Sequence, residues 1–282
     1  PAITQPAFTF HETPYPNSMR LPEPPVSSPH LQRKPTMRIL ITGLRGTVAP
    51  ALAAHLTHHA HTVLPWNRET DPPTDEPAVR THIEHTRPNW ICHIATGPPD
   101  WAEWIARACR DLAIPLLWTG SVSIFGNRHT PPFTPDMEPD ATDDYARYKI
   151  ECERRVRTAN PDAVIARLGW QIGLQPGSNT MTNHLANLAR DNDNRIDAST
   201  RWTPSCAFLP DTAAALASLI HQHTPGTYHL EGNTNALSFF DIATRLAHTL
   251  DMPWQITPSD TPHMDNRMTD PRLRMAQIDA RL

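Results

Sequence analysis

The stretch "RILITGLRGTVAPALAAHL", residues 38–56, decides the fold. Residues 38–42 form a short apolar run, and from Thr47 apolar residues recur at helical spacing through "TVAPALAAHLTHH". Gly43 and Gly46, two of only ten glycines in the chain, stand between them. Glycines at a strand-to-helix turn let the backbone approach a pyrophosphate, whose charge the exposed N–H groups of the helix start favour. The spacing is GxxGxxA, and Ala49 in the third place still permits close helix–sheet packing. The turn predicts a dinucleotide cradle built from Gly43, Leu44, Arg45 and Gly46.

Downstream, strand and helix continue to alternate. "HTVLPW" reads as a second strand, "RPNWICHIAT" contains a third, and "WAEWIARACRDLA" is helical. "IPLLWTGSVSIFG" is a fourth strand running into a loop, followed by the helix "YARYKIECERRVRT" and the buried strand "DAVIARLGW". Such alternation predicts an α/β fold, a Rossmann-type doubly wound parallel sheet covered by helices on both faces. After Trp170 the rhythm turns irregular, with helices in "TMTNHLANLARD", "LPDTAAALASLIHQH" and "SFFDIATRLAHTL". We therefore expect a dinucleotide-binding domain over 37–170 and, over 171–282, mainly a smaller α+β substrate lobe above the carboxyl edge of the sheet. Upstream, residues 1–36 hold nine prolines and no glycine, which predicts an extended or disordered leader. An arm in a homo-oligomer is one use such a leader could serve.

Composition excludes several classes. A net charge of −4 gives no electrostatic reason for a nucleic-acid or anionic-membrane partner. No apolar run approaches the roughly 20 residues that span a bilayer. Cys92, Cys109, Cys152 and Cys206 are scattered without a CxxC pair, which fits reduced thiols in a cytoplasm. Histidine is frequent, and His55, His58 and His59 come within reach on one helix, but no metal site is expected from them.

The end of the second strand selects the dinucleotide. An NAD site usually offers a carboxylate there, about 20 residues after the glycine turn. Here "VLPWNRE" presents Asn67 and Arg68, with an acid only at Glu69, and Arg45 sits inside the glycine turn. Two guanidiniums suit a ribose 2′-phosphate, so NADPH is favoured over NADH.

Only two lysines occur in the chain, and one of them, Lys149, stands four residues after Tyr145. On a helix, i and i+4 share a face, so phenol and ammonium would point together and the cation would depress the phenol's pKa. Tyr148, one position off that face, is expected to pack. A hydroxyl should complete the set from the end of the fourth strand, where "WTGSVSIFG" supplies Ser121 and Ser123 on the same side. Alternation does not choose between them.

Together, the glycine turn, "TGSVSIFG" and "YARYK" resemble the extended short-chain dehydrogenase/reductase superfamily, and more narrowly its RmlD-like dTDP-4-dehydrorhamnose reductases. The resemblance covers about 37–273. It puts the catalytic hydroxyl on Ser121, the YxxxK pair on Tyr145 and Lys149, and a glutamate on Glu153. It also puts an Arg-x-x-Trp on Arg167 and Trp170, and a C-terminal arginine on Arg267 in "RMTDPRL". It implies that Ala95 and Thr96 contact the cofactor and that Ser121, Trp170 and Arg267 contact the substrate. The chain departs from the family in lacking an asparagine after "HIATGPPDWAEW" and in carrying Met268 and Pro271 in the C-terminal motif. The implied activity is NADPH-dependent reduction of a ketone, a 4-keto-6-deoxy sugar nucleotide. The alternatives are a catalytically silent NADP-binding regulatory subunit and an NAD-dependent sugar-nucleotide epimerase.

Overall fold

The computed structural model describes residues 36–126, 128–173 and 180–282; the proline-rich leader lies outside them. The glycine-turn stretch folds as read, with β1 (Arg38–Thr42) leading into α1 (Val48–His58). There follow β2 (Thr62–Pro65), α2 (Glu76–Thr86), β3 (Trp90–His93), α3 (Pro99–Asp111), β4 (Leu116–Ser121), α4 (Asp144–Ala159) and β5 (Val164–Leu168). The later part holds β6 (Trp170–Ile172), α5 (Met181–Asp191), β7 (Arg195–Ser199), β8 (Trp202–Thr203), β9 (Cys206–Phe208) and α6 (Leu209–Gln222). It closes with β10 (Gly226–Leu230), α7 (Phe239–Thr249), β11 (Gln255–Ser259) and β12 (Met264–Asp265).

The central sheet has the order β10-β5-β4-β3-β1-β2, and every neighbouring pair is parallel. Helices α1 and α6 cover one face, where Leu52, Leu56, Leu216 and Ile220 meet Ile39, Ile41 and Leu117. On the other face α2, α3 and α4 bring Val79, Ile83, Ile105 and Val156 against Leu40, Ile91 and Ile165. Burial on both faces is why the strands read as continuous apolar runs rather than alternating ones.

Helix α2 is absent from the sequence reading. Only Val79 and Ile83 are buried on it, too few for a periodic signal, yet Asp75 caps its N-terminus on the Ala78 N–H and Pro77 sits in its first turn. Those two marks were the available clue. The second difference is β10, which lies in the stretch assigned to the lobe but pairs with β5, from Gly226↔Val164 to Leu230↔Leu168. Helix α6 joins it in the main sheet layers.

The remainder of the C-terminal part has its own apolar core, in which Ile172, Leu185, Ile196, Phe239 and Leu246 meet. The chain leaves the central sheet at Gly169. A Cβ there would collide with Ser205, so a side chain would prevent the close approach that lets Trp170 N–H donate to Ser205 O at 2.8 Å. From that crossing β6 pairs with β9, while β7–β11 and β8–β12 form two further two-stranded parallel sheets.

Candidate active site

The strand order reverses at β1, with β2 on one side and β3 on the other, and in open α/β sheets ligands bind at such a switch point. A cleft of about 690 Å³ opens there along the carboxyl ends of β1, β3, β4 and β5. Its floor begins at the glycine turn. Gly43 has φ +87°, and a Cβ on it would stand 2.9 Å from Ala95 N. Gly46 N–H donates to Gly43 O at 2.8 Å, closing the turn. No acidic residue stands in the first turn of α1, and its N-cap residue makes no side-chain capping bond, which α1 shares with α3 and α6. A helix start without an acid, directly after a glycine turn, fits a phosphate group. Gly43→Ala is expected to cost about 1–3 kcal/mol of stability through its positive φ and to weaken dinucleotide binding, read by denaturant unfolding and cofactor titration. Unchanged binding would remove the cradle from this turn.

The loop after β3 forms the adjoining wall. Thr42 Oγ1 accepts the N–H groups of Ile94 and Ala95 at 3.0 and 3.1 Å. Its own hydroxyl hydrogen is therefore directed to His93 Nδ1, 2.8 Å away, which assigns the proton to Nε2. Burial, with smaller help from Lys149 and Arg68, pushes His93 down to about 3. The neutral ring makes stability pH-dependent: the unfolded chain takes up this proton near 6.5 and the folded chain only near 3, so stability falls as pH drops through that window. Between pH 7 and 5 His93 should account for a loss of about 2 kcal/mol. Denaturant melts of His93→Asn should lack this part of the slope; an unchanged slope would rule the linkage out.

Tyr148, expected to pack, does so and also clamps this loop. Its hydroxyl donates to Gly97 O at 2.9 Å and accepts Gly97 N–H at 3.1 Å.

Ser121, Tyr145 and Lys149 all line the cleft. Ser121 ends β4, and the short 3-10 turn Val122–Ile124 that follows turns Ser123 back on it. Ser123 donates both its N–H and its O–H to Ser121 Oγ, at 3.2 and 2.9 Å. With its acceptor positions filled, Ser121 is left to donate its own hydrogen, and this separates two serines that alternation could not. Helix α4 starts from Asp143, which caps the Ala146 N–H at 2.9 Å. Tyr145 stands in its first turn, half exposed, and Lys149 one turn on, 6% exposed.

The electrostatics differ from the expectation. Burial raises the Tyr145 phenol above its ordinary value, and Ser121 pulls it part of the way back. The Lys149 ammonium is turned to other partners. That ammonium donates to Thr119 O at 3.2 Å, lies 5.1 Å from the Trp118 ring centroid, and is itself lowered by burial. The β4 backbone, not the phenol, holds the lysine where it lines the cleft.

Arg167 and Glu153 form a buried pair under the same helix. Arg167 donates to Glu153 through Nη2 at 2.7 Å and Nε at 3.1 Å. Its Nη1 donates to His229 Nε2 at 3.2 Å, so His229 Nδ1–H donates to Phe133 O at 3.0 Å. Both residues were marked by resemblance; the structure places them as a brace between α4 and β5.

Arg45, Arg68, Ala95, Thr96 and Trp170 reach the cleft as expected. Arg45 pairs there with Glu69 at 2.7 Å, both side chains largely exposed. Arg68 donates to Thr96 O at 3.3 Å and lies 5.4 Å from the Trp101 ring centroid. Three expected residues are not brought to the cleft wall. Leu44 packs on the core, and Asn67 Oδ1 accepts the Glu69 N–H at 3.1 Å. Arg267 is folded back onto Asp265, with Nη2–Oδ2 at 2.6 Å, and its neighbour Asn266 takes the place at the cleft. Trp202, Gln171 and Ser205 also line the cleft, though none is expected there from the sequence as a site residue. Among the described residues no helix is long and apolar enough to cross a membrane.

A glycine cradle at the switch point and a hydroxyl, phenol and ammonium along one cleft define the class, an extended short-chain dehydrogenase/reductase. Comparison with known proteins narrows it. The family model described as the RmlD substrate binding domain matches residues 99–281, and the chain belongs to that family. It is 28% identical over 247 residues to the dTDP-4-dehydrorhamnose reductase of Mycolicibacterium smegmatis, covering 81% of this chain and 74% of that protein. The Mycobacterium tuberculosis protein of that name is 25% identical over 228 residues, covering 73% of each. Among solved structures, the dTDP-4-dehydrorhamnose reductase of Bacillus anthracis in complex with NADP shares the fold, with TM-score 0.74 at 18% identity over 87% of this chain and 96% of that one.

Proposed function

We propose that the protein is an NADPH-dependent reductase acting on the ketone of a 4-keto-6-deoxy sugar nucleotide, as the names of its reductase relatives suggest. The observation that carries this is the convergence of Ser121, Tyr145 and Lys149 on the cleft that starts at the Gly43–Gly46 cradle. The cradle, the acid-free start of α1 and the two arginines fit a dinucleotide phosphate. When bound, the reduced nicotinamide supplies hydride. Tyr145 donates its proton to the developing alkoxide, and its raised pKa keeps the phenol protonated at neutral pH. Ser121, already an acceptor twice over, gives its hydrogen to the same oxygen. Lys149 is free to direct its remaining hydrogens to the nicotinamide ribose. Arg45 and Arg68 take a 2′-phosphate in competition with Glu69.

The regulatory-subunit alternative has no observation in its favour, because a protein without chemistry has no need of an oriented hydroxyl beside a half-exposed phenol. Four buried cysteines with free thiols fit a reducing cytoplasm. The test is oxidation of NADPH at 340 nm with a panel of nucleotide-linked 4-keto sugars, with NADH alongside. Arg45→Ala combined with Arg68→Ala should bring the NADPH and NADH dissociation constants together. A preference that survives both changes would place the 2′-phosphate elsewhere, and silence on the whole panel with NADPH bound would overturn the substrate class.

A further inference from the structure

We propose that Trp202 and Asn266 form a substrate-recognition subsite in the cleft, taking the flat face of a ring on the indole and an oxygen of that ring's edge on the Asn266 amide. Neither residue is among the site residues expected from the sequence, and the proposal rests on the nucleotide-sugar reading above. Trp202 stands in β8, Asn266 directly after β12, and the register Met264↔Trp202 sets these two segments side by side. Both residues line the cleft and neither is fully buried.

The indole is held from behind. Its ring lies 4.8 Å from Phe239 and 5.9 Å from Trp170, the latter pair inclined by 22°. At that spacing the two indoles touch each other, so a ligand ring meets their open side rather than a slot between them. Trp202 Nε1–H donates to Asn266 Oδ1 at 3.3 Å, and Ser205 N–H donates to the same oxygen at 3.2 Å. Two donors on one oxygen assign the amide orientation. They leave the two Nδ2 hydrogens, for which no acceptor is present among the described residues, as donors at the cleft wall. Backbone bonds fix the position: Asn266 N–H donates to Thr203 O at 3.2 Å, and the buried Glu231 carboxylate accepts the N–H groups of Met268 at 2.8 Å and Cys206 at 3.3 Å.

A second, independent observation marks the same wall. Gln171, next to Trp170 and 5% exposed, donates through Nε2 to Gly169 O at 3.0 Å while its buried Oε1 has no partner among the described residues. A buried acceptor without a donor is the exception in folded proteins and asks for an explanation. Beside an open cleft, that explanation is a donor brought by the ligand. Aromatic face, amide donors and an acceptor together suit a polyhydroxylated sugar ring or a pyrimidine base, both of which carry a flat face and edge oxygens.

The test uses the full chain with NADPH and a dTDP-linked 4-keto-6-deoxyhexose. Trp202→Ala and Asn266→Ala should each raise KM roughly tenfold, the loss of one such contact, with kcat within a few fold and the NADPH dissociation constant unchanged. Asn266→Asp keeps the acceptor for Trp202 and Ser205 but removes the Nδ2 donors. A merely structural role predicts no change for it, whereas recognition predicts the same rise in KM. Inhibition by dTDP, which lacks the sugar, identifies the ring: a Ki that weakens in parallel assigns the base, and a constant Ki assigns the hexose. Unchanged KM in Asn266→Asp and Trp202→Ala, in protein that still turns over, would overturn the subsite alone. A wild-type protein that binds NADPH but neither turns over the sugar nor binds dTDP would overturn the functional reading, and the subsite with it.

Discussion

Tyr145→Phe is expected to lower kcat for ketone reduction by about 10²- to 10⁴-fold, the range for removal of a positioned general acid, while NADPH still binds. The expectation rests on where the phenol stands. It lines the cleft at the start of α4, half exposed; its ring lies 6.4 Å from that of Tyr148, and among the described residues its hydroxyl meets Ser121 alone. Loss of the hydroxyl should therefore leave unfolding unchanged. The raised phenol pKa sets the sign of the pH dependence. Turnover should be level through neutrality and fall on the alkaline side, as the proton needed by the alkoxide is lost before hydride arrives. Steady-state rates with single-turnover controls read this directly. A Phe variant with near wild-type turnover would remove Tyr145 from the chemistry, and a profile that rises with pH would make the phenolate, not the phenol, the active form.

The largest effect on stability is expected at the brace beneath the site. Arg167 and Glu153 are buried together, with side-chain exposures of 2% and 4%. Arg167→Met leaves the buried carboxylate with Arg157, 3.1 Å away and half exposed, and the more distant Lys149 ammonium in partial compensation. Breaking such a pair from one side costs roughly 3–5 kcal/mol, whereas replacing both partners with apolar residues is often neutral. The double variant Arg167→Met with Glu153→Leu should therefore recover most of what the single one loses. Urea unfolding of the two singles and the double measures the coupling. If the double variant is as unstable as the sum of the singles, the pair is not what braces α4 on β5. Because α4 carries Tyr145 and Lys149, the single variant should also lose activity at temperatures where it remains folded.

Much of the site was legible because its parts are local. The glycine turn lies between a strand and a helix that are contiguous with it, and Tyr145 and Lys149 are one helical turn apart. Apolar runs and 3.6-residue spacing report on neighbours in the chain, so β1, α1, β4 and α4 could be placed within a residue or two. Helix α2 escaped because its evidence was a cap and a proline rather than a stripe. The expected action of Lys149 on Tyr145 was drawn from shared helix face alone. It did not allow for Thr119 O and the Trp118 ring, which belong to β4 and hold the ammonium at the cleft wall.

By itself, then, the sequence determined the Rossmann-type alternation, the glycine turn and the placing of Tyr145 and Lys149 one turn apart on a helix, because each depends on spacing within one element or one turn. The tertiary structure alone decided which of two serines lines the cleft, that β10 completes the sheet beside β5, that Arg45 meets Glu69, and that Asn266 rather than Arg267 faces the cleft. Each of these is settled by a contact made in space. Trp202 and Asn266 are 64 residues apart in the chain, and only the pairing of β8 with β12 makes them neighbours. Periodicity carries no information about which strand will lie beside which. Burial, register and the need to satisfy every buried polar group make that choice once the chain is folded.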